Sequence, residues 1–183
     1  MDPNWFIAVP LSGDGWYPRL SAPPANVRLL HPDDLHATIA FLGAVSEAQA
    51  RRAMAALSLS LAPLRVTLGS VVAMGNPRRF SALSALVDRG CPELEGAMAE
   101  SRERAWSAAE SERDDRPPKA HVTVARPTRK ATDRERRAAL EWASSLSLGG
   151  VEVLVDRVAL YTWSETRGVR GAREFRTVIE QSL

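Results

Sequence analysis

Short runs of alternating hydrophobic and polar residues occur along most of the chain and predict a protein with many strands. The pattern predicts strands over 5–10, 35–43, 64–74, 81–87, 120–126, 151–163 and 174–180. Helical periodicity fills several of the intervals between them. Ser46 with Gln49 and Thr132 with Glu135 form capping boxes that begin two helices, and a third helix begins near Pro92.

The order of these elements repeats in the two halves of the chain. Each half contains a strand with a His-x-Thr sequence, then a capped helix, a long strand, a turn and a shorter strand. We therefore expect an α+β fold with two lobes related by a pseudo-twofold axis. Each lobe would be a mainly antiparallel sheet backed by helices, with the active site in the cleft between the lobes.

Length and composition fit one domain. The chain has 183 residues, of which 45% are hydrophobic, enough for a substantial core. We expect a single bilobal domain over 1–183, with approximate lobes at 1–90 and 91–183 and with strand exchange between lobes allowed. No segment approaches the roughly 20 apolar residues that cross a bilayer, and a single cysteine excludes an intrachain disulfide. These features favour a cytoplasmic monomer that binds no membrane.

The two His-x-Thr strands carry the most informative polar residues. They read HATIAFLG over 36–43 and HVTVAR over 121–126. Alternate side chains of a strand point to opposite faces, so His36 shares a face with Thr38, and His121 shares a face with Thr123. Two such pairs in matching contexts suggest a duplicated half-site, in which two imidazoles face one substrate.

Paired imidazoles suit one kind of chemistry particularly well. A histidine with a pKa near neutrality can take a proton from a nucleophile, and a second can give a proton to a leaving group. In-line displacement at phosphorus needs both acts on opposite sides of the phosphorus atom. A threonine hydroxyl two residues from each imidazole can donate to a non-bridging phosphate oxygen. The motifs therefore indicate acid–base cleavage of a phosphodiester.

Strict alternation places Phe41 on the face opposite His36, and Arg126 on the face opposite His121. Because Pro127 ends the second strand, the Arg126 side chain has room to turn to the rim of the cleft and meet phosphate. A structural salt bridge is the alternative. Phe41, Arg78 and Arg79 are further candidate substrate contacts, and Arg167, Arg170 and Arg173 lie in a late loop where the alternative is a solvated surface.

The two motifs closely resemble those of the two-histidine (2H) phosphoesterases. Within that superfamily they are most similar to the RNA 2′,3′-cyclic phosphodiesterases of bacteria and archaea, historically called 2′-5′ RNA ligases (ThpR/LigT). Residues 36–43 match that group's HxTxxFLG, and residues 121–126 match its HxTxAR. The opening strand and the stretch LYTWS over 160–164 also look similar. The resemblance spans nearly the whole chain, although only the two motifs are specific.

The resemblance implies an enzyme that hydrolyses a 2′,3′-cyclic phosphate at an RNA end to a 2′-phosphate. It implies no metal and no nucleotide cofactor, and a weak, reversible ligation of tRNA halves through a 2′-5′ bond. Carried onto this chain, His36 is the proton donor and His121 is the proton acceptor that activates water. Thr38 and Thr123 hold the phosphate oxygens. The partner would be RNA with a cyclic phosphate end, including tRNA fragments.

The chain also departs from the family's pattern. Phe175 stands where a tyrosine is common, and Ala37 and Ala40 stand where larger residues are usual. Asp33 and Asp34 come just before the first motif, where their carboxylates would repel a long polyanion. A small cyclic phosphate is therefore the second choice of substrate, either a nucleoside 2′,3′-cyclic phosphate or ADP-ribose 1″,2″-cyclic phosphate.

Two other classes of function compete with these. A metal enzyme is disfavoured because three histidines and one cysteine offer no HxxxH or CxxC spacing. A non-catalytic module that binds RNA or a nucleotide would keep the cleft and lose turnover. The presence of both histidines and both threonines argues against such a module. A net charge of +2 is too small to indicate nucleic-acid binding by itself.

Overall fold

A computed structural model of the chain describes residues 3–77, 79–169 and 171–183. The strands are β1 (Trp5–Pro10), β2 (Val27–Leu29), β3 (His36–Gly43), β4 (Leu64–Gly75), β5 (Phe80–Val87), β6 (His121–Pro127), β7 (Glu152–Val155), β8 (Arg157–Trp163) and β9 (Phe175–Ser182). The α-helices are α1 (Glu47–Ala56), α2 (Cys91–Ala109) and α3 (Asp133–Ser145). Two short 3-10 helices cover Tyr17–Arg19 and Pro32–Asp34.

The strands form two antiparallel sheets. One has four strands in the order β3-β1-β8-β9, and the other has five in the order β2-β6-β5-β4-β7. Helices α1 and α2 pack together against the four-stranded sheet, and α3 packs against β4. The sheets meet where β3 contacts β6, which brings the two motif strands together. The expected α+β architecture of two helix-backed antiparallel sheets is confirmed.

Each sheet takes strands from both halves of the chain, so neither sheet lies within 1–90 or 91–183 alone. One of the crossings between the sheets lies in the segment expected to be a single strand over 151–163, and that expectation is wrong. The segment breaks at Asp156. Its first part pairs with β4 in one sheet, and its second part pairs with β1 and β9 in the other. A run of β-forming residues does not reveal that its two ends belong to different sheets.

Both predicted capping boxes are confirmed. The Ser46 hydroxyl accepts from the Gln49 backbone N–H at 3.3 Å, and the Gln49 side chain accepts from the Ser46 N–H at 3.0 Å. Thr132 and Glu135 make the same reciprocal pair at 3.3 and 2.7 Å. Each pair satisfies two backbone donors that a helix start leaves free, which is why α1 and α3 begin at the expected positions.

One large hydrophobic core lies between the sheets and the helices. It includes the fully buried side chains of Ile7, Leu83, Leu94 and Val122. A second, smaller cluster lies on the other face of β1 and β8, and consists of Phe6, Ala8, Ala159 and Tyr161 with Phe175 packed against it. This smaller cluster forms the wall of the site described below. Among the described residues, no helix is long and apolar enough to cross a bilayer.

Candidate active site

A β-bulge interrupts the first motif strand. Thr38 and Ala40 pair with consecutive residues of β1, so Ile39 is an extra residue without a partner of its own. A bulge shifts the alternation of side chains by one position. As a result Ile39 and Ala40 are both buried, and Phe41 is 49% exposed. The expectation that Phe41 lies on the face opposite His36 is therefore wrong, because the bulge returns Phe41 to the face of His36 and Thr38.

The second motif strand contains the same bulge at the same position. Thr123 and Ala125 pair with consecutive residues of β5, which leaves Val124 as the extra residue. Val124 and Ala125 are both fully buried, and Arg126 is partly exposed. Arg126 therefore lies on the face of His121 and Thr123. The opposite placement expected from strict alternation is wrong because it assumed an unbroken strand.

The two imidazoles are held by equivalent backbone contacts. His36 Nδ1 lies 2.7 Å from the carbonyl oxygen of Asp34, and His121 Nδ1 lies 2.7 Å from that of Lys119. A carbonyl oxygen only accepts, so Nδ1 of each ring carries the proton. In the neutral rings Nε2 is then the free acceptor and the atom that exchanges protons.

Aromatic rings surround His36. Its ring stacks on Phe6 with centroids 4.8 Å apart, and on Tyr161 at 5.7 Å. Phe175 meets it edge to face at 5.5 Å. The sequence marked Phe175 as a departure from the tyrosine that is common in the family. In the structure its ring completes an apolar wall beside the imidazole.

This environment makes His36 a weak base. Burial lowers the pKa of His36 to about 4, although the hydrogen bond to the Asp34 carbonyl acts in the opposite direction. The positive charges of Arg126 and His121 lower the pKa of His36 further. The contact between β3 and β6 and the face that Arg126 shares with His121 place these three groups in one cleft.

The environment of His121 is different in kind. Burial also lowers the pKa of His121, and its hydrogen bond to the Lys119 carbonyl opposes that effect. The charges of Lys119 and Arg116 lower the pKa of His121 further. No aromatic ring contacts His121 among the residues that the structure describes. Both imidazoles are thus uncharged at neutral pH in the absence of an anion, and His36 is the weaker base.

The Arg126 guanidinium has no hydrogen bond and no ion pair with any described residue. Burial lowers the pKa of Arg126, the charge of Glu174 opposes this, and the charges of Arg28 and Arg167 add to it. A guanidinium remains charged in any protein environment and offers five N–H donors. An unpaired guanidinium beside two imidazoles is suited to binding an anion such as phosphate.

The two threonines differ in the residue that lies opposite each of them on the neighbouring strand. Thr123 Oγ1 lies 3.1 Å from Ser84 Oγ, and Ser84 is fully buried on β5 directly opposite Thr123. Thr38 lies opposite Ala8, which has no hydroxyl to offer. Ser84 is a site residue that the sequence analysis missed. Only the pairing register of β5 and β6 could have identified it, and the two motif sequences do not contain that register.

The candidate residue Arg79 is not brought into the cleft. Arg79 lies exposed in the β4–β5 turn, where its N–H donates to the Asn76 carbonyl. Leu86 lies opposite His121, and Arg79 comes seven residues earlier, so Arg79 is separated from the level of His121 by roughly 20 Å at about 3.3 Å per residue. Arg78 and Arg170 lie outside the described residues. Within the described ranges, no three His, Cys, Asp or Glu side chains form a group that could hold a metal ion.

Asp34 does not face the cleft as a free carboxylate. It is only 1% exposed, its Oδ1 accepts from Arg173 Nε at 3.3 Å, and its other oxygen accepts from the Glu174 backbone N–H. Burial raises the pKa of Asp34, and these hydrogen bonds oppose the increase. Asp34 is paired and buried and presents no free carboxylate to the cleft, while Asp33 stays exposed. The repulsion of a polyanion by these two residues stays a prediction.

The chain resembles known proteins in sequence and in fold. Residues 16–82, which contain the first motif and end before the second, match the family described as LigT like Phosphoesterase. No curated protein sequence matches the chain. Escherichia coli LigT in complex with 3′-AMP is 20% identical, with a TM-score of 0.69 over 100% of this chain and 99% of that chain.

Two further solved structures have related folds. The Thermus thermophilus protein TT0787 is 20% identical, with a TM-score of 0.69 over 98% of this chain and 97% of that chain. Kluyveromyces marxianus Usb1 is 14% identical, with a TM-score of 0.53 over 86% of this chain and 92% of that chain. The resemblance to the two-histidine phosphoesterases is therefore confirmed: the chain matches the LigT-like phosphoesterase family in sequence over residues 16–82 and shares the fold of the LigT structures over its whole length.

Proposed function

We propose that the chain is a metal-independent phosphodiesterase that opens the 2′,3′-cyclic phosphate at an RNA end to leave a 2′-phosphate. One observation carries the proposal. The motif strands β3 and β6 are in contact, and they bring two imidazoles and the unpaired guanidinium of Arg126 to one cleft. This set of groups supplies a base, an acid and an anion site for displacement at phosphorus.

In the proposed mechanism, Nε2 of His121 takes a proton from water, and the water oxygen forms a bond to phosphorus. The bond from phosphorus to the 3′ oxygen breaks on the opposite side. Protonated His36 gives its Nε2 proton to that departing oxygen. Thr38, Thr123 and Arg126 donate to the phosphate oxygens as negative charge increases on them. Transfer of a proton back through solvent then restores both imidazoles.

The difference between the two imidazoles supports this division of roles. The lower pKa of His36 makes its protonated form the stronger acid and its neutral form the poorer base. His121 lies outside the aromatic wall and is the better acceptor. A bound phosphate carries negative charge next to His36, and an opposite charge at short distance favours the protonated form. Substrate binding would thus favour protonation of His36, which is the state that a proton donor needs.

The same groups would catalyse ligation. If the 5′-hydroxyl of a second RNA takes the place of water, His121 accepts its proton and the product is a 2′-5′ bond. We propose RNA ends, including tRNA fragments, as the partner of a monomer that acts in the cytoplasm. Phe41, exposed on the same face as His36, would contact the substrate. No cofactor and no metal take part in these steps.

Small cyclic phosphates are the alternative substrates. Structures of Escherichia coli LigT have been solved with ATP and with NADP+ bound. The unpaired Arg126 needs only one phosphate group as its partner. A nucleoside 2′,3′-cyclic phosphate or ADP-ribose 1″,2″-cyclic phosphate would therefore meet the same three groups. A module that binds nucleotides without turnover is the remaining alternative.

One assay separates these possibilities. An oligoribonucleotide with a 2′,3′-cyclic phosphate end is incubated with the protein in excess chelator, and the product is identified by mass and by its phosphatase and periodate sensitivity. A 2′-phosphate supports the proposal. A 3′-phosphate reverses the leaving group, loss of activity in chelator contradicts metal independence, and turnover of small cyclic phosphates alone supports the alternative. Binding of the oligonucleotide without any product would indicate a binding module.

Single substitutions then test the paired imidazoles. His36→Ala and His121→Ala should each abolish turnover while circular dichroism shows an intact fold. His31→Ala is the matched control, because His31 belongs to neither motif and its ring nitrogen accepts from the Asp33 backbone N–H at 3.2 Å. Substantial turnover in both single variants would contradict the mechanism, and so would loss of turnover in the His31 variant alone.

A further inference from the structure

We infer a second phosphate-binding subsite on the β2 side of the cleft, formed by Arg28 and Arg167 and stabilised by Trp163 and Glu174. It would hold a phosphate of the substrate other than the one that reacts. The inference rests on the proposed function, because it concerns the substrate bound in the same cleft.

Arg28 and Arg126 are neighbours on adjacent strands. Arg28 lies on β2 directly opposite Arg126 on β6. Opposite residues of an antiparallel pair have Cα atoms roughly 4.5–5.5 Å apart, so the two arginines leave the sheet as neighbours. Arg126 lies on the face of the imidazoles. Arg28 therefore extends the positive surface of the cleft by one strand, away from β5 and toward the outer edge of the sheet.

The loop between β8 and β9 supplies Arg167 and the carboxylate of Glu174 to this side of the cleft. Arg28 forms an ion pair with Glu174, and Arg167 Nε lies 3.9 Å from the other oxygen of the same carboxylate. The Glu174 side chain is only 12% exposed, while those of Arg28 and Arg167 are 45% and 44% exposed. The carboxylate thus lies beneath the two guanidinium groups and leaves their outer N–H donors open to solvent.

Positive charge exceeds negative charge around Arg126. The charges of Arg28 and Arg167 lower the pKa of Arg126, and the charge of Glu174 raises it. Three guanidinium groups around one carboxylate leave two positive charges without compensation. Like charges held together cost free energy unless an anion joins them. The reacting phosphate at Arg126 can supply one such charge, and a second phosphate can supply the other.

The Arg167 side chain is held in place before a ligand binds. The Arg167 guanidinium lies over the indole of Trp163, 4.0 Å from the ring centroid. A cation in contact with an aromatic face loses part of its freedom before any ligand arrives. The end of the loop next to β9 is held where the Glu174 N–H donates to the buried carboxylate of Asp34. Donors that are already oriented bind an anion at a smaller entropic cost.

Two kinds of substrate could supply the second phosphate. In an RNA end, it is the phosphodiester that links the terminal nucleotide to its neighbour. In ADP-ribose 1″,2″-cyclic phosphate, it is the pyrophosphate. Both present an anion that a guanidinium binds through paired N–H donors. The recognised chemistry is therefore a second phosphate group, and the source is decided by experiment.

Equilibrium binding tests the subsite without any need for turnover. The probes are adenosine 2′-phosphate and adenosine 2′,5′-bisphosphate, measured by titration calorimetry at fixed salt. The wild-type protein should bind the bisphosphate about tenfold more tightly, the effect of one additional charge-assisted contact. Equal affinity for the two probes overturns the inference. A protein that shows the difference but hydrolyses no cyclic phosphate refutes the proposed function and leaves the subsite intact.

Substitutions assign the effect to these residues. Arg28→Gln and Arg167→Gln should each reduce the tenfold preference to threefold or less. Glu174→Gln should increase the preference, because it removes the anion that competes for both guanidinium groups. Arg65→Gln is the matched control, since Arg65 is also an exposed arginine in an ion pair, with Glu152 near the far edge of the sheet. A preference unchanged in all three site variants overturns the inference.

Kinetic measurements distinguish the two sources. kcat/KM is compared for a dinucleotide with a 2′,3′-cyclic phosphate end and for ADP-ribose 1″,2″-cyclic phosphate, in wild type and in Arg28→Gln. A larger loss on the dinucleotide assigns the subsite to RNA, and a larger loss on the second substrate assigns it to a pyrophosphate. A loss on neither overturns the inference, even where both substrates are hydrolysed.

Discussion

The imidazole of His36 stacks on the phenyl ring of Phe6, with their centroids 4.8 Å apart and their planes inclined by 30°. His121 has no such partner among the described residues, although its backbone hydrogen bond is the counterpart of the one that holds His36. A duplicated motif has thus been placed in two unequal surroundings. Burial is the largest cause of the lowered pKa of both rings, and the aromatic packing around His36 makes its burial the more complete of the two.

The first prediction concerns direct titration of the imidazoles. NMR of the ring protons, assigned with single His→Gln variants, should show a midpoint near pH 4 for His36. The midpoint of His121 should lie below 6.5 and above that of His36. Phe6→Leu should raise the midpoint of His36, because water that enters beside a smaller side chain stabilises the imidazolium. A His36 midpoint near 6.5 in the wild type would contradict the role given to the aromatic wall.

The second prediction concerns the pH dependence of turnover. The proposed mechanism needs His36 protonated and His121 neutral. Raising the pH deprotonates His36, and lowering the pH protonates His121. Because both pKa values lie below 6.5, kcat/KM should be greatest on the acidic side of pH 6.5 and should fall as the pH rises through 7. Initial rates on a nucleoside 2′,3′-cyclic phosphate measure this. A profile that increases from pH 6 to pH 8 is incompatible with these roles.

The strands and caps of this protein could be predicted from its sequence because they depend on neighbouring residues. Ser46 and Thr132 each hydrogen-bond to a residue three positions away, so the signal lies within four residues. The alternation that marks β1 and β3 is equally local. Such patterns indicate where an element begins. They do not indicate which element lies beside it.

The errors have one physical cause, which is that strand pairing is not local. Neither HATIAFLG nor HVTVAR contains a glycine or a polar residue at the bulge, so nothing in the motifs marks Ile39 and Val124 as extra residues. The bulges follow from pairing with β1 and β5, and they decide where Phe41 and Arg126 point. The break at Asp156 is similar, since it follows from which sheet each side joins.

The third prediction concerns Arg126. Arg126→Gln should lower kcat by roughly 10²-fold, the usual effect of removing one donor from a developing oxyanion. It should also raise the pKa of His36, because the Arg126 charge lowers it. Arg126→Lys should restore the pKa of His36, because lysine returns the positive charge. It should restore only part of kcat, because lysine lacks the planar guanidinium and its paired N–H donors. A kcat for Arg126→Gln within threefold of wild type would remove Arg126 from the mechanism.

The fourth prediction concerns the buried carboxylate beside the first motif. Asp34→Asn should lower the free energy of unfolding by about 1–3 kcal/mol, because it removes the partner of Arg173 and weakens the bond from the Glu174 N–H. Urea denaturation measures this. Asp33→Asn is the control, since the Asp33 side chain is 65% exposed and should change stability by no more than about 0.5 kcal/mol. Equal effects of the two substitutions would show that the buried pair contributes no stability.

The fifth prediction concerns the hydroxyl behind Thr123. Ser84 Oγ lies 3.1 Å from Thr123 Oγ1. If Ser84 donates, the Thr123 proton is free to point at a phosphate oxygen. Ser84→Ala should then lower kcat about threefold to tenfold, the equivalent of one hydrogen bond of about 0.5–1.5 kcal/mol, with a smaller effect on KM.

The control for Ser84 is another buried serine. Ser101 is also fully buried, but its hydroxyl donates to the Ala97 carbonyl within α2 and not to a residue of either motif. Ser101→Ala should cost a comparable amount of stability and leave kcat unchanged. If both variants lose kcat in proportion to stability, Ser84 only supports the fold. If Ser84→Ala alone loses kcat at unchanged stability, its hydroxyl orients Thr123, and the second half-site is the more rigidly organised of the two.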